Sequence, residues 1–200
     1  MDAATQPSNL NIANVLTVLR IVGVPLFGWL LLSDGGGSET MRLWAWVAFV
    51  LLMITDRIDG DLARRHNLVT DFGKVADPIA DKALTGMAFV GLSIIGVLWW
   101  WVTVVVLLRE WGITLMRFIV LKYGVMPASQ GGRLKTMLQA VALGGYILPL
   151  ELWDNTFTTV VLWATHIVMA AAVAITLATA VQYVRDAVRL RREQKGSAPA

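Results

Sequence analysis

Apolar residues run along this chain in long blocks, not at the three-and-four spacing of a water-soluble amphipathic helix. The blocks predict six helical segments. The first covers about Val15 to Leu32 and stops at a glycine-rich turn, Ser33 to Glu39. The second starts near Met41 and continues through Ile54 into a polar, acidic stretch. The third starts near Asp77 and reaches about Leu98. No glycine–proline break marks its end, and the boundary is drawn at Trp99, Trp100 and Trp101, three indoles suited to a membrane–water interface. The fourth covers about Val102 to Leu121, the fifth Leu134 to Leu150, and the sixth Thr156 to Gln182. No charged residue occurs from Ala83 to Leu108, and about 20 apolar residues suffice to span a bilayer. The pattern predicts an all-α integral membrane protein with six transmembrane helices. One membrane domain takes in residues 1–200, with a polar N-terminal segment (1–14) and a basic tail (183–200).

Composition strengthens this reading. Of 200 residues, 56% are hydrophobic, more than a soluble domain of this length requires. Cysteine is absent, which excludes disulfides, thiolate metal sites and a Cys nucleophile. The N-terminus has no basic n-region and Arg20 interrupts the first apolar run, so no cleaved signal peptide is expected. The cations then orient the chain. Arg57, Arg64, Arg65, Lys74, Lys82, Lys122, Arg133 and Lys135 fall at the connections on the side of the termini. Arg185, Arg189, Arg191, Arg192 and Lys195 fall in the tail, and Arg42 alone is assigned to the opposite side. Positive residues stay cytoplasmic, which predicts a multi-pass protein of a bacterial-type inner membrane with cytoplasmic termini. The tail reads first as a solvated helix end. It could also rest on anionic lipid at about 1 kcal/mol per cation. No nucleic-acid partner is expected.

The stretch Met53 to Lys82 joins the second and third segments and holds six of the fourteen acidic residues. Asp56 and Asp59 are three apart, and Asp77 and Asp81 four apart, so each pair shares a helix face at roughly 5–6 Å. Consecutive antiparallel helices would turn the two pairs toward one cytoplasm-facing cleft. Unpaired in lipid, each Asp costs about 2.5–3.5 kcal/mol. Hard divalent cations take such oxygen ligands, and two ions roughly 3.5–4 Å apart would hold a pyrophosphate. Gly60, Ala63 and Gly73 leave room for a bulky ligand, and Arg64 places positive charge beside its phosphates. The plainer alternative is a solvated acidic loop. Four carboxylates in helical register beside small residues weigh against it.

Asp56-x₂-Asp59-Gly60-x₂-Ala63-Arg64-x₈-Gly73-x₃-Asp77-x₃-Asp81 resembles the signature of the CDP-alcohol phosphatidyltransferases at every position. The resemblance implies six transmembrane helices, a homodimer, Mg²⁺ or Mn²⁺ (two ions), and transfer of a phosphatidyl group from a CDP-lipid to an alcohol with release of CMP. It implies that Asp56, Asp59 and Asp77 bind metal, and that Asp81 is the general base with a share in metal binding. Asp59, Gly60, Ala63, Arg64 and Gly73 would receive the CDP-lipid. The stretches Asn11 to Ile21, Arg109 to Arg117 and Gly132 to Gln139 are similar to the phosphatidylglycerophosphate synthases of this family. That similarity implies CDP-diacylglycerol and glycerol 3-phosphate as substrates.

The acceptor is read from isolated charges. Arg109, Glu110 and Arg117 lie inside an apolar segment, and Lys135 begins the next. Intramembrane ionisable residues are functional candidates. An acceptor carrying a phosphate needs cations, so Arg109, Arg117 and Lys135 are the candidates for it. The competing reading makes Arg109 and Glu110 a structural lock between helices, and makes Arg117 and Lys135 snorkelling cations. Asn14, Thr17 and Arg20 share roughly one helix face and are candidates to line the cleft. His166 is expected to bond across helices rather than to catalyse. Three other readings stay open: the same chemistry with inositol phosphate, phosphatidylglycerol or serine as acceptor; a membrane prenyltransferase; and a divalent-cation transporter.

Overall fold

The computed structural model describes residues 12–65, 70–120, 130–153 and 155–196. The side chains of 13, 59–65, 71–72, 74–75, 117–120, 130–133 and 186–196 lie outside that description. Among the described residues there is no strand. The six predicted segments are six α-helices: α1 (Ile12–Leu32), α2 (Glu39–Arg65), α3 (Asp71–Ile94), α4 (Trp100–Val120), α5 (Gln130–Ile147) and α6 (Thr156–Gly196).

Helix ends differ most from expectation in α3 and α6, while α5 starts four residues before Leu134 and ends three before Leu150, and α1 starts three before Val15. α3 starts at Asp71, well before Asp77, because Thr70 is extended and its hydroxyl accepts the Gly73 N–H at 3.0 Å. Pro78, which would suit a first turn, lies inside the helix. α3 also ends earlier than Leu98. Gly96 takes φ +78°, a left-handed position open to glycine, and breaks the chain before α4. α6 runs past Gln182 to Gly196, 41 residues in all.

α1 lies against both α2 and α3, while α5 pairs with α6 and α4 packs on α6 and α3. Phe27, Leu31, Phe49, Leu84, Phe89, Leu92, Leu143 and Ile147 fill the shared interior. Small residues bring backbones close. A Cβ at Gly91 would stand 2.6 Å from Leu31, and one at Gly145 would stand 2.5 Å from Thr165 Oγ1. Gly145→Ala is expected to destabilise the protein by about 1–3 kcal/mol through overpacking of α5 on α6. Thermal unfolding in detergent checks it, with Thr165→Ala expected to restore much of the loss.

Arg42 closes the end of the bundle away from the acidic stretch. It is fully buried, and its Nη2 donates to the carbonyls of Tyr146 (2.7 Å) and Leu148 (2.9 Å). Its Nε donates to Ile147 O (3.1 Å), and its Nη1 pairs with Glu151. The last carbonyls of α5, which have no partner within their own helix, thus meet a guanidinium from α2. His166 differs from expectation: its Nδ1 bonds Leu162 O of its own helix at 2.7 Å, and its contacts across helices are the rings of Trp99 and Tyr146.

Among the described residues, Asn14–Gly36 and Thr156–Arg185 are long and apolar enough to cross a membrane. α2 to α5 each carry charges along their length. Bare apolar side chains nevertheless face outward on every helix, including Trp29, Leu51, Ile79, Leu108, Val141 and Ile167.

Candidate active site

The site forms where α1 meets the end of α2 and the start of α3, and α1 supplies a polar residue to each of its neighbours. Arg20, with no exposed surface, pairs with Asp56 on α2 at 2.7 Å. Thr17 donates from Oγ1 to Asp77 Oδ1 on α3 at 2.6 Å. Asn14 Nδ2 is 2.9 Å from Thr70 Oγ1, the cap of α3. These residues are three apart on α1, so one helix face aligns both acidic helices. Asn14, Thr17 and Arg20 therefore stand at the acidic stretch, as their spacing predicts. Gly73 sits beneath them: a Cβ there would lie 3.0 Å from Asn14 Oδ1 and 3.7 Å from Asp77 Oδ2.

Asp81 lies one turn along α3 from Asp77 and is partly buried. The charged groups that act on it are Asp56 and Arg20 of the carboxylate site and Glu110 and Lys135 of a second cluster. In that cluster the buried Lys135 on α5 pairs with Glu110 on α4. Arg109 reaches the same Glu110 oxygen at 3.2 Å, donates to Thr179 Oγ1 on α6 at 2.7 Å and lies 5.9 Å from the Tyr183 ring centre. Gln139 continues the polar seam to Thr176 at 3.3 Å.

Asp59, Gly60, Ala63 and Arg64 fall in the last turns of α2, and Arg117 in the last turn of α4. Beyond that, nothing of their side chains is described. Among the described residues no three His, Cys, Asp or Glu side chains come together as a metal site, and Asp59 is not among them. The donors that do converge around Gly73 are carboxylate, hydroxyl and amide oxygens, the set that hard divalent cations take. These residues fit such a cation.

Sequence reasoning missed Thr70. Its signal was a threonine directly before an acidic first turn, the pattern of a helix cap. It also missed Thr179, Thr176 and Gln139. Their only mark was polarity within apolar segments, which does not say which partner each meets.

Carboxylates thus meet at a helix junction, with cations buried beside them on an apolar helical frame. The sequence model of CDP-alcohol phosphatidyltransferase matches residues 10–184, and the chain belongs to that family, whose members generally use divalent metal ions. A protein of Mycobacterium tuberculosis named probable phosphatidylglycerophosphate synthase is 49% identical over 179 residues, covering 90% of this chain and 82% of its own. The CDP-diacylglycerol–glycerol-3-phosphate 3-phosphatidyltransferase of Bacillus subtilis is 34% identical, covering 76% of this chain and 86% of its own. A CMP-forming cardiolipin synthase of Streptomyces coelicolor is 37% identical over 59% of this chain and 55% of its own.

Proposed function

We propose that this chain transfers the phosphatidyl group of CDP-diacylglycerol to glycerol 3-phosphate, giving phosphatidylglycerophosphate and CMP. The observation that supports this reading is the polar face of α1, with Arg20 on Asp56 and Thr17 on Asp77, together with a buried Lys135 paired to Glu110. One group of side chains serves a pyrophosphate and the other a phosphate-bearing acceptor. The Mycobacterium tuberculosis and Bacillus subtilis relatives both bear names for this reaction.

Asp56, Asp59, Asp77 and Asp81 would hold two divalent ions, Mg²⁺ or Mn²⁺, which when bound polarise the pyrophosphate and offset the charge left on CMP. Gly60, Ala63 and Gly73 admit the CDP moiety, and Asp59 and Arg64 flank it. Lys135 binds the acceptor phosphate, with Arg117 and Arg109 as further cations, though Arg109 is also engaged by Thr179 and Glu110. Asp81 takes the proton of the acceptor hydroxyl. The new bond forms between that oxygen and the lipid-side phosphorus, and the bond from that phosphorus to CMP breaks. An apolar groove of about 570 Å³ between α2 and α5 starts at Arg57, next to Asp56, and is floored by Gly144 and Gly145. It offers a lipid chain a path from the site into the bilayer.

In this reading all six helices cross a cytoplasmic membrane, with termini and site on the cytoplasmic side, and two copies form a dimer. Outward-facing apolar residues on every helix support the crossing, and the cations at the site's end of the bundle support the orientation.

Purified protein with CDP-diacylglycerol and Mg²⁺ or Mn²⁺ is expected to release CMP with glycerol 3-phosphate and not with inositol phosphate, phosphatidylglycerol or serine. Asp59→Ala is expected to abolish it. Release with another acceptor would move the protein within its family. Metal flux into vesicles without CDP-lipid, and no CMP release, would replace the enzyme with a transporter.

A further inference from the structure

Glu110 on α4 receives two cations on one oxygen. Lys135 donates its Nζ from α5, and Arg109 donates Nη1 at 3.2 Å. The cations are not equivalent. Arg109 is anchored elsewhere, by Thr179 Oγ1 at 2.7 Å and the ring of Tyr183. Lys135 hangs on a flexible four-carbon stem, and among the described residues Glu110 is its bonded partner. Its other acidic neighbour is Asp81, the proposed base. A buried ammonium needs a counter-charge, and Lys135 takes it from a residue outside the family signature.

We infer that Glu110 is an internal counter-ion for Lys135 that competes with the acceptor's phosphate and so sets the affinity for that acceptor. The inference rests on the function proposed above. With the acceptor site empty, Glu110 neutralises Lys135, which bonds to it and not to Asp81. A phosphate entering beside Asp81 offers more acceptor oxygens than a shared carboxylate. Lys135 has three donors and can turn to it, while Arg109 keeps its Nη1 on Glu110 and acts on the phosphate from that fixed position through its charge. Displacing Glu110 subtracts from acceptor binding, so removing the carboxylate should tighten it. Glu110 is a positioning residue that acts through Lys135.

The test is steady-state kinetics of Glu110→Gln, with glycerol 3-phosphate and CDP-diacylglycerol varied separately. The KM for glycerol 3-phosphate is expected to fall about fivefold or more, while the CDP-lipid KM moves less. Inorganic phosphate, as an inhibitor competing with the acceptor, should gain by a similar factor. Lys135→Ala alone should raise the acceptor KM, and adding Glu110→Gln to it should then change little. An unchanged or raised acceptor KM in folded Glu110→Gln overturns the role of Glu110, as does an equal fall in the Lys135→Ala background. If Glu110→Gln does not fold, Glu110→Asp keeps the charge but withdraws it by one methylene. A smaller fall in KM is expected there, and none would overturn the inference. Wild-type protein that releases no CMP with glycerol 3-phosphate overturns the reading beneath it; active wild type with an unmoved variant overturns Glu110's role alone.

Discussion

Asp81→Asn is expected to lower CMP release about 10²–10⁴-fold, the range a positioned general base supplies. The substitution keeps the shape of the side chain and the start of α3, whose alignment depends on Thr17, Asn14 and Thr70. CDP-lipid binding should therefore survive while the acceptor hydroxyl loses its proton acceptor. Single-turnover CMP release and equilibrium binding of CDP-diacylglycerol, measured on the same preparation, separate the two effects. Recovery of turnover at high Mg²⁺ would assign Asp81 to metal holding alone. Turnover within tenfold of wild type would remove it from the chemistry.

Arg42→Leu is expected to cost about 3 kcal/mol of stability and leave the turnover of folded molecules unchanged. The Tyr146 and Ile147 carbonyls at the end of α5 would lose the guanidinium, and Leu148 O would lose it but keep the Leu150 N–H, at roughly 1 kcal/mol each. Glu151 would lose its cation too, but its side chain is 32% exposed, so water replaces much of that interaction. A drop of roughly 6–12 °C in the melting midpoint corresponds to that loss for a chain of this size. A shift of under 2 °C would mean that water or neighbouring groups cap α5 without Arg42. Lost turnover at full stability would tie this distant end of the bundle to the site.

Helix number was legible because apolar blocks of bilayer length leave few alternatives. The boundaries were less so. The expected start of α3 was misplaced because a cap is a single side-chain bond, Thr70 to Gly73, rather than a periodic pattern. Its end was misplaced because Gly96 needs neither proline nor a polar cluster to break a helix. That Asp77 and Asp81 stand one turn apart on α3 was legible from spacing, since i, i+4 fixes a face without any knowledge of tertiary contacts. Asn14, Thr17 and Arg20 were legible as a face but not by partner. That they divide between Thr70, Asp77 and Asp56 depends on how three helices pack. Glu110 was recognisable as a charge in an apolar segment and as a residue seeking another helix. That it would hold Lys135 was not, because pairing across helices leaves no local trace.

The length of α6 has a mechanical consequence. Its 41 residues measure about 60 Å at 1.5 Å per residue, twice the roughly 30 Å of a bilayer's hydrocarbon. If the apolar stretch Thr156–Arg185 sits in lipid, residues 186–196 continue the same helix for about 16 Å beyond it. Thr179 and Tyr183, the two residues that hold Arg109, lie on that same helix just before this extension. A tilt of α6 would therefore carry with it the contacts of the cation beside Glu110.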